Sequence, residues 1–162
     1  MRKTMYGLVT GYAEASGCTC EIEEGSCQAL LSVEGLGIQI GLVENSGMLV
    51  FQTGVALLPG SGGDRGREEF CMKLLTANNL FSDTMGFTLG VDETQELVTL
   101  QLAWDLSRLD AEGFAHIVNN LLSVAADWMI RLNEWRPAAP DKEYSGQNAA
   151  PIEMPFTSFL KV

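Results

Sequence analysis

Three apolar segments joined by very short links restrict the fold of this chain more than any other feature of its sequence. The segments span residues 26–33, 36–43 and 47–58. The links between them contain glycine and asparagine, which are typical of the tight turns in β-hairpins. Strands joined in this way run antiparallel. The sequence therefore predicts an antiparallel meander of three strands.

Each predicted strand has one apolar face, because side chains alternate between the two sides of a strand. In the second strand this face carries Ile38, Ile40 and Leu42, and in the third it carries Leu49, Phe51, Val55 and Leu57. The opposite positions are small or polar, namely Gly37, Gln39, Gly41, Gln52 and Gly54. We expect the apolar face to meet the core and the other face to be partly solvated.

A second hairpin is predicted after the glycine-rich link LPGSGGDRG. Apolar residues occupy alternate positions before and after the turn DETQ, and they are Met85, Phe87, Leu89, Val91, Val98, Leu100, Leu102 and Trp104. This alternation gives one apolar face to an antiparallel pair. The glycine-rich link lacks the G-x4-G-K-[ST] pattern of a phosphate-binding loop, so we interpret it as a connector.

Two helices are predicted where apolar residues recur at helical spacing. The first helix carries Met5, Leu8, Val9 and Tyr12 on one stripe. Gly17 is expected to end it, because glycine adopts the left-handed conformation of a helix C-terminus. The second helix spans residues 67–80. We expect it to end at the asparagine pair 78–79, because asparagine also tolerates that conformation.

The last predicted helix is also the longest. Asp110 is a typical N-cap, the helix runs to Trp135, and Pro137 ends it. The predicted fold is α+β, an antiparallel twisted sheet with helices in the order α-β-β-β-α-β-β-α. We expect one domain over residues 1–135 and a Pro/Ala-rich C-terminal tail over residues 136–162. The tail is either disordered or docked through its apolar residues, Ile152, Met154, Phe156, Phe159 and Leu160.

The charge of the chain limits its partners. Among 162 residues, 10 are basic and 21 are acidic, which gives a formal net charge of -11. This balance opposes binding to nucleic acid and to anionic membrane surfaces, where Lys and Arg supply most of the affinity. The amino terminus lacks the roughly 7–15 apolar residues of a signal peptide, and no segment approaches the roughly 18 that indicate a membrane span. We therefore expect a soluble cytoplasmic protein that binds no nucleic acid and inserts into no membrane.

Residues suited to catalysis are scarce. His116 is the only histidine and lies within a predicted helix, so no nucleophile and base pair is indicated. Most acidic residues fall in predicted turns, among them Glu21, Glu23, Glu24, Asp92, Glu93 and Glu96. The four cysteines, Cys18, Cys20, Cys27 and Cys71, lack the C-x2-C spacing of structural zinc sites. We predict no enzymatic activity, no cofactor and no metal, with a cysteine-dependent metal or redox protein as the alternative.

Three segments in the second half of the chain resemble one known family when they are taken in order. LLTANNLF contains an L-x-x-N core from Leu75 to Asn78, LGVDETQELVTLQ covers the second hairpin, and LDAEGFAHIVNNLLSVAADWMIRL covers the last helix. Their order and spacing resemble the Tir-chaperone family, the class I chaperones of bacterial type III secretion systems. The resemblance extends from Thr4 to Leu132.

The resemblance implies a function in protein binding. Members of that family are typically homodimers without nucleotide hydrolysis, and they hold the non-globular amino-terminal region of a secreted effector in an export-competent state. In this chain the effector would lie beside the first helix and the meander, as an extended peptide that adds a strand to the sheet. An adaptor or regulator with the same fold outside secretion is the alternative function.

The resemblance also implies two sets of site residues. The candidate effector-binding residues are Met5, Leu8, Val9, Tyr12, Ile38, Ile40, Leu49 and Phe51. The candidate dimer interface consists of Phe70, Leu74, Leu75, Val98, Leu100 and Leu102. Packing in the core of a single protomer is the other explanation for each of these residues, because amphipathic elements need such residues in order to fold.

Overall fold

Six antiparallel strands form one sheet in the computed structural model of this chain, which describes residues 1–23, 25–59, 64–81 and 83–135 without the side chains of 64, 65 and 80. The strands are β1 (Thr19–Ile22), β2 (Gln28–Val33), β3 (Leu36–Val43), β4 (Met48–Leu57), β5 (Thr88–Asp92) and β6 (Leu97–Asp105). The helices are α1 (Arg2–Ser16), α2 (Asp64–Ala77) and α3 (Ala111–Glu134), with 3-10 turns at Asn79–Phe81 and Leu106–Arg108. The predicted α+β class is confirmed.

The strand order is β1-β2-β3-β4-β6-β5, so the two predicted hairpins belong to the same sheet. β4 lies between β3 and β6 and pairs with both. β6 continues past its last partner in β5, and residues 102–105 pair with β4 alone. The chain therefore joins its two hairpins through the strand that precedes the glycine-rich link.

The first strand was missed by the sequence prediction. β1 is only four residues long and pairs with β2, with Cys20 opposite Leu31 and Ile22 opposite Ala29. Glu21 lies in this strand and not in a turn, which corrects the prediction. A segment this short, with a single strongly apolar residue, shows too weak a pattern for a strand to be predicted from its sequence. It becomes a strand because its backbone pairs with β2.

The helices cover one face of the sheet. Directly opposed residues in neighbouring strands share a face, and the Phe51 ring on β4 lies 5.4 Å from the Phe114 ring on α3. The positions on this face are buried along β2, β3 and β4, and the fully buried ones include Leu31, Ile38, Ile40, Leu49 and Phe51. α1 contacts β1 and β2, and α3 contacts β4 and β6. One hydrophobic core thus lies between the helices and this face.

The opposite face of the sheet carries a row of amide side chains. Gln39 lies opposite Gln52, and Gln52 lies opposite Gln101, so three glutamines form a row across β3, β4 and β6. All three are half-buried. This agrees with the small and polar positions that the sequence places on that side of the meander.

A β-bulge changes the outer end of β4. The pairing of β4 with β6 shifts register between Gly54 and Ala56. Val55 stays buried, but Leu57 is 48% exposed. The prediction that Leu57 shares the buried face of Leu49 and Phe51 is therefore wrong, because the extra residue of a bulge interrupts the alternation of side chains.

The three predicted helix ends lie beside their sequence signals, and α2 ends at Ala77, directly before the asparagine pair. The predicted cap forms in two cases of three. Gly17 ends α1 with φ of 69°, and the Gly113 N–H donates to the Asp110 carboxylate at 2.8 Å. In the third case the left-handed residue is Phe81, with φ of 56°, and not Asn78 or Asn79. A 3-10 turn follows α2, so the left-handed residue comes at Phe81, after that turn. The Asn78 side chain makes a different contact, with β5.

The predicted C-terminal tail, residues 136–162, lies outside the described residues, so the predicted division of the chain at residue 136 stays a prediction. Residues 60–63 of the glycine-rich link also lie outside them. None of the described helices is long and apolar enough to cross a membrane.

Replacing the N-cap of α3 tests the anchoring of that helix. We expect Asp110→Ala to lower the free energy of unfolding by about 1 kcal/mol, because the Gly113 N–H loses its acceptor. Asp127→Ala, on the exposed side of the same helix, is the control and should change it by less than about 0.5 kcal/mol. Urea denaturation followed by circular dichroism measures both, and equal losses would contradict the role of the cap.

Candidate functional site

The polar side chains of the described residues form no evident reaction centre. No group of three His, Cys, Asp or Glu side chains in the described ranges is placed to hold a metal ion. The four cysteines are free thiols and half-buried. His116 is exposed on α3 and lies 3.0 Å from the Asn120 side chain. The candidate site is therefore sought among surfaces that could bind another polypeptide.

Most of the predicted effector-binding residues belong to the core. Six of the eight are buried, namely Met5, Val9, Ile38, Ile40, Leu49 and Phe51. Leu8 and Tyr12 are half-buried and pack against this core from α1. The six buried residues support the surface from beneath, while direct contact with a partner is open to Leu8 and Tyr12.

Tyr12 fixes one flank of α1 against α3. Its ring meets the Phe114 ring edge-on at 5.9 Å, and its hydroxyl donates to the Asn119 side-chain oxygen at 2.8 Å. Burial raises the pKa of Tyr12 above its usual value of 10.0, so the hydroxyl remains a donor at neutral pH. This contact holds the two helices at a fixed spacing over the sheet.

The other flank of α1 faces the first strand across a partly open apolar border. The Tyr6 hydroxyl donates to the Ser26 carbonyl, in the link that follows β1. Tyr6, Cys20, Ile22 and Cys27 are half-buried and pack against the core, and we call this set the α1–β1 rim. The sequence prediction missed the rim because two of its members, Cys20 and Ile22, lie in the strand that it did not detect.

Arg2 ties the start of α1 to two strand connections at one end of the sheet. Its guanidinium donates two hydrogen bonds of 2.8 Å to the Glu44 carboxylate and one of 2.9 Å to the Gly25 carbonyl. Glu44 lies in the turn between β3 and β4, and Gly25 lies in the link between β1 and β2. The hydrogen bond from Arg2 holds the pKa of the Glu44 carboxyl below its usual range.

The backbone of β1 is unpaired on its outer side. The Leu42 N–H donates to the Cys27 carbonyl at 2.7 Å, which makes these two a hydrogen-bonded pair. Because such pairs alternate, the even-numbered residues of β2 direct their backbone groups toward β1. Their partners are Thr19 and Glu21, so Cys20 and Ile22 point their N–H and C=O groups away from the sheet. No described residue forms a hydrogen bond with these outward N–H and C=O groups.

The other edge of the sheet, β5, is partly closed. The Leu89 N–H donates to the Asn78 side-chain oxygen at 2.8 Å, and the Asn78 amide donates to the Leu89 carbonyl at 2.9 Å. The Phe87 N–H, just before the strand, donates to the Thr84 carbonyl at 3.0 Å. The two edges of the sheet therefore differ in their capacity to accept another strand.

The predicted dimer residues divide between core and surface. Phe70, Leu74, Val98 and Leu100 are buried within the protomer, and Leu102 is half-buried. Leu75 alone is prominent at the surface, with 64% exposure. The structure thus brings the buried members together in the core and leaves Leu75 on the outer side of α2.

Other large apolar side chains are exposed around Leu75. They lie on α2, on the segment that follows it and on β5, and α2 contacts β5. The α2–β5 surface consists of Met72, Leu75, Phe81, Met85 and Val91. Leu57 is exposed as well, but it pairs with Leu97 and lies on the opposite face of the sheet from Val91. Met72 lies outside the buried stripe of α2, and an apolar residue off the core stripe is the signal in the sequence that the prediction missed.

An unpaired strand edge beside an apolar rim, together with a second exposed apolar surface, defines a protein that binds other polypeptides. The sequence matches the Tir chaperone protein (CesT) family over residues 8–129. The chain belongs to this family of chaperones. A comparison with curated proteins gave no match.

Three solved structures share the fold. A chain in the ExsC-ExsE complex aligns with a TM-score of 0.68 and 20% identity, over 86% of this chain and 98% of that chain. The HopA1-SchA chaperone-effector complex gives 0.57 and 13%, over 82% and 95%. The ExoU-SpcU complex from the type III secretion system of Pseudomonas aeruginosa gives 0.55 and 19%, over 79% and 96%.

Acidification tests the contact between Arg2 and Glu44. Because the pKa of Glu44 is lowered in the folded protein, its contribution to stability is present above the ordinary value of 4.5 and is lost as the pH falls through the folded-state pKa. We expect the Tm of the native chain to fall more between pH 6 and pH 3 than that of Glu44→Gln. The difference should be small, because the pair is exposed to solvent.

The matched control for this measurement is Glu14→Gln, which removes an exposed carboxylate of α1 that makes no ion pair among the described residues. It should keep the steeper acid dependence of the native chain. If Glu44→Gln and the native chain lose Tm in parallel, Arg2 does not stabilise the charged form of Glu44.

Proposed function

We propose that this chain is a homodimeric chaperone that binds the non-globular amino-terminal region of a protein exported by a type III secretion system. It holds that region in an extended, export-competent form in the cytoplasm before secretion. Membership of the Tir chaperone family supports this proposal, as do the neighbours of the same fold, which are described as a chaperone-effector complex and as a complex from a type III secretion system.

The observation that carries the proposal is the unpaired outer side of β1. Cys20 and Ile22 present N–H and C=O groups in the spacing of a strand, and an extended segment of another protein can pair with them. Hydrogen bonds of this kind depend on the backbone and not on the sequence of the bound segment. They suit a partner that is held unfolded.

Side chains of the added strand would alternate between two environments. Those next to Cys20 and Ile22 point to the helix side of the sheet, where the α1–β1 rim is apolar and half-buried. Those next to Thr19 and Glu21 point to the opposite face, where both residues are exposed. The surface therefore selects an extended segment in which every second residue is apolar.

The homodimer is proposed to form through the α2–β5 surface. Its five exposed apolar side chains lie on α2, on the segment that follows it and on β5, in a chain whose net charge is -11. Burying them removes apolar area from water. The predicted interface residues Phe70, Leu74, Val98 and Leu100 support this surface from the core, and Leu75 contacts the partner protomer directly. Leu102 lies at the border between core and surface.

Purification of the tagged chain from its native cells tests the function itself. We expect one secreted protein to be recovered, bound through its amino-terminal region. Deletion of the gene for this chain should reduce the secretion of that protein and leave the secretion of others unchanged. Recovery of a cytoplasmic protein that is never exported would favour an adaptor or regulator with this fold.

A proline substitution tests the β1 edge against that partner. Cys20→Pro removes an outward N–H while the pairing of β1 with β2 is kept, since the Cys20 N–H is not part of that ladder. We expect binding of the partner to weaken by about tenfold, equivalent to ~1.4 kcal/mol. Isothermal titration with the purified amino-terminal region of the partner measures the change.

Cys20→Ala is the matched control, because it shortens the same side chain and keeps the N–H. It should bind within about threefold of the native chain, the change expected for ~0.7 kcal/mol. Equal affinities of the proline and alanine variants, both folded by circular dichroism, would exclude strand addition at β1.

The dimer surface is tested by a charge at its centre. We expect Leu75→Asp to convert the dimer to a monomer, because burying an unpaired carboxylate in an apolar interface is strongly unfavourable. Ile130→Asp on α3 is the control, since Ile130 is 63% exposed and does not belong to the α2–β5 surface. Light scattering after gel filtration measures the mass, and a native chain that is monomeric at micromolar concentration would refute the dimer.

A further inference from the structure

Asn78 bonds to the backbone of β5 as another strand would. Its side chain accepts from the Leu89 N–H at 2.8 Å and donates to the Leu89 carbonyl at 2.9 Å, so both backbone groups of one residue are paired with one amide. A carboxamide has the same donor and acceptor as a peptide group. The side chain at the end of α2 thus occupies the place of a residue in a neighbouring strand.

The direction of these bonds identifies the outer side of β5. Leu89 lies opposite Leu100 in β6, yet both of its backbone groups go to Asn78, so this pair is not hydrogen-bonded within the sheet. In an antiparallel ladder the outward positions alternate. Phe87 and Val91 therefore also point outward, and the Phe87 N–H is already bonded to the Thr84 carbonyl.

We propose that Asn78 closes the β5 edge against a second copy of this chain. The sequence of β5, TLGVD, contains neither lysine nor proline, the residues that often protect an exposed edge strand. Apolar side chains surround this edge, with Val91 41% exposed and Met85 73% exposed. Without Asn78, two copies could pair β5 with β5 about a two-fold axis.

This closure has a consequence for assembly. If the edge is filled, two protomers meet at the α2–β5 surface through side chains, and their sheets do not join into one continuous sheet. Strand addition is then directed to the far edge, β1, where Cys20 and Ile22 are unpaired. The role of Asn78 stands on its own hydrogen bonds and does not require the proposed chaperone function.

Replacing Asn78 tests the closure directly. We expect Asn78→Ala to form assemblies larger than the native ones, with a weight-average mass that rises with protein concentration in light scattering. The double variant Asn78→Ala with Val91→Pro should return to the native mass, because proline removes one of the two outward N–H groups of β5, those of Leu89 and Val91, and is not tolerated inside a paired ladder. Thr76→Ala is the control, since it loses only a hydrogen bond to the Met72 carbonyl within α2.

Two results would overturn the proposal. One is a folded Asn78→Ala variant with the native mass at every concentration, and the other is a double variant that assembles as strongly as the single one. If Asn78→Ala does not fold, amide exchange of the native chain decides the question. The Leu89 N–H should then exchange more slowly than an unprotected amide, and exchange at the unprotected rate would exclude the hydrogen bond to Asn78.

Discussion

The packing of α3 across β4 is the contact on which the other parts of the structure depend. β4 lies between β3 and β6, and its pairing with β6 joins the two hairpins into one sheet. Phe51 on β4 meets Phe114 on α3, and Tyr12 then attaches α1 to α3. Because this packing takes place on one face of the sheet, the core lies on that side, and the other face and the two edges remain available as surfaces.

The two edges of the sheet differ in the hydrogen-bond partners of their outward backbone groups. At β5 the side chain of Asn78 pairs with the outward backbone groups of Leu89, whereas at β1 the corresponding groups of Cys20 and Ile22 have no described partner. An unpaired edge is a hazard for most proteins, because it can pair with any extended chain. Under the proposed function it becomes the binding site, and the closed edge limits the hazard to one side.

The proposed function explains why this sequence contains few residues suited to catalysis. Holding an extended segment requires backbone donors and acceptors and a half-buried apolar border, and neither is visible as a catalytic motif. The acidic net charge of -11 keeps a chain with exposed apolar side chains soluble. It also disfavours contact between copies except where uncharged surfaces meet.

The sequence by itself determined the α+β class, the two hairpins, the three helices and the ends of α1 and α3. These features depend on local signals, since side-chain alternation, helical spacing and capping residues act within a few positions. It also determined which residues are apolar enough to pack in the core or to contact a partner. It did not determine which of these residues do the one and which do the other. Met5 and Leu8 belong to the same stripe of α1, and only Leu8 is partly exposed.

Tertiary structure decided the rest. It made a strand of residues 19–22 by pairing them with β2, turned Leu57 outward through a bulge, and placed the Asn78 amide against Leu89. It also left Leu75 at the surface while its neighbour Leu74 entered the core. Each of these outcomes depends on groups that are distant in the sequence, so no local pattern contains them. The candidate site is built from such long-range contacts, which explains why the fold could be predicted more fully than the surface.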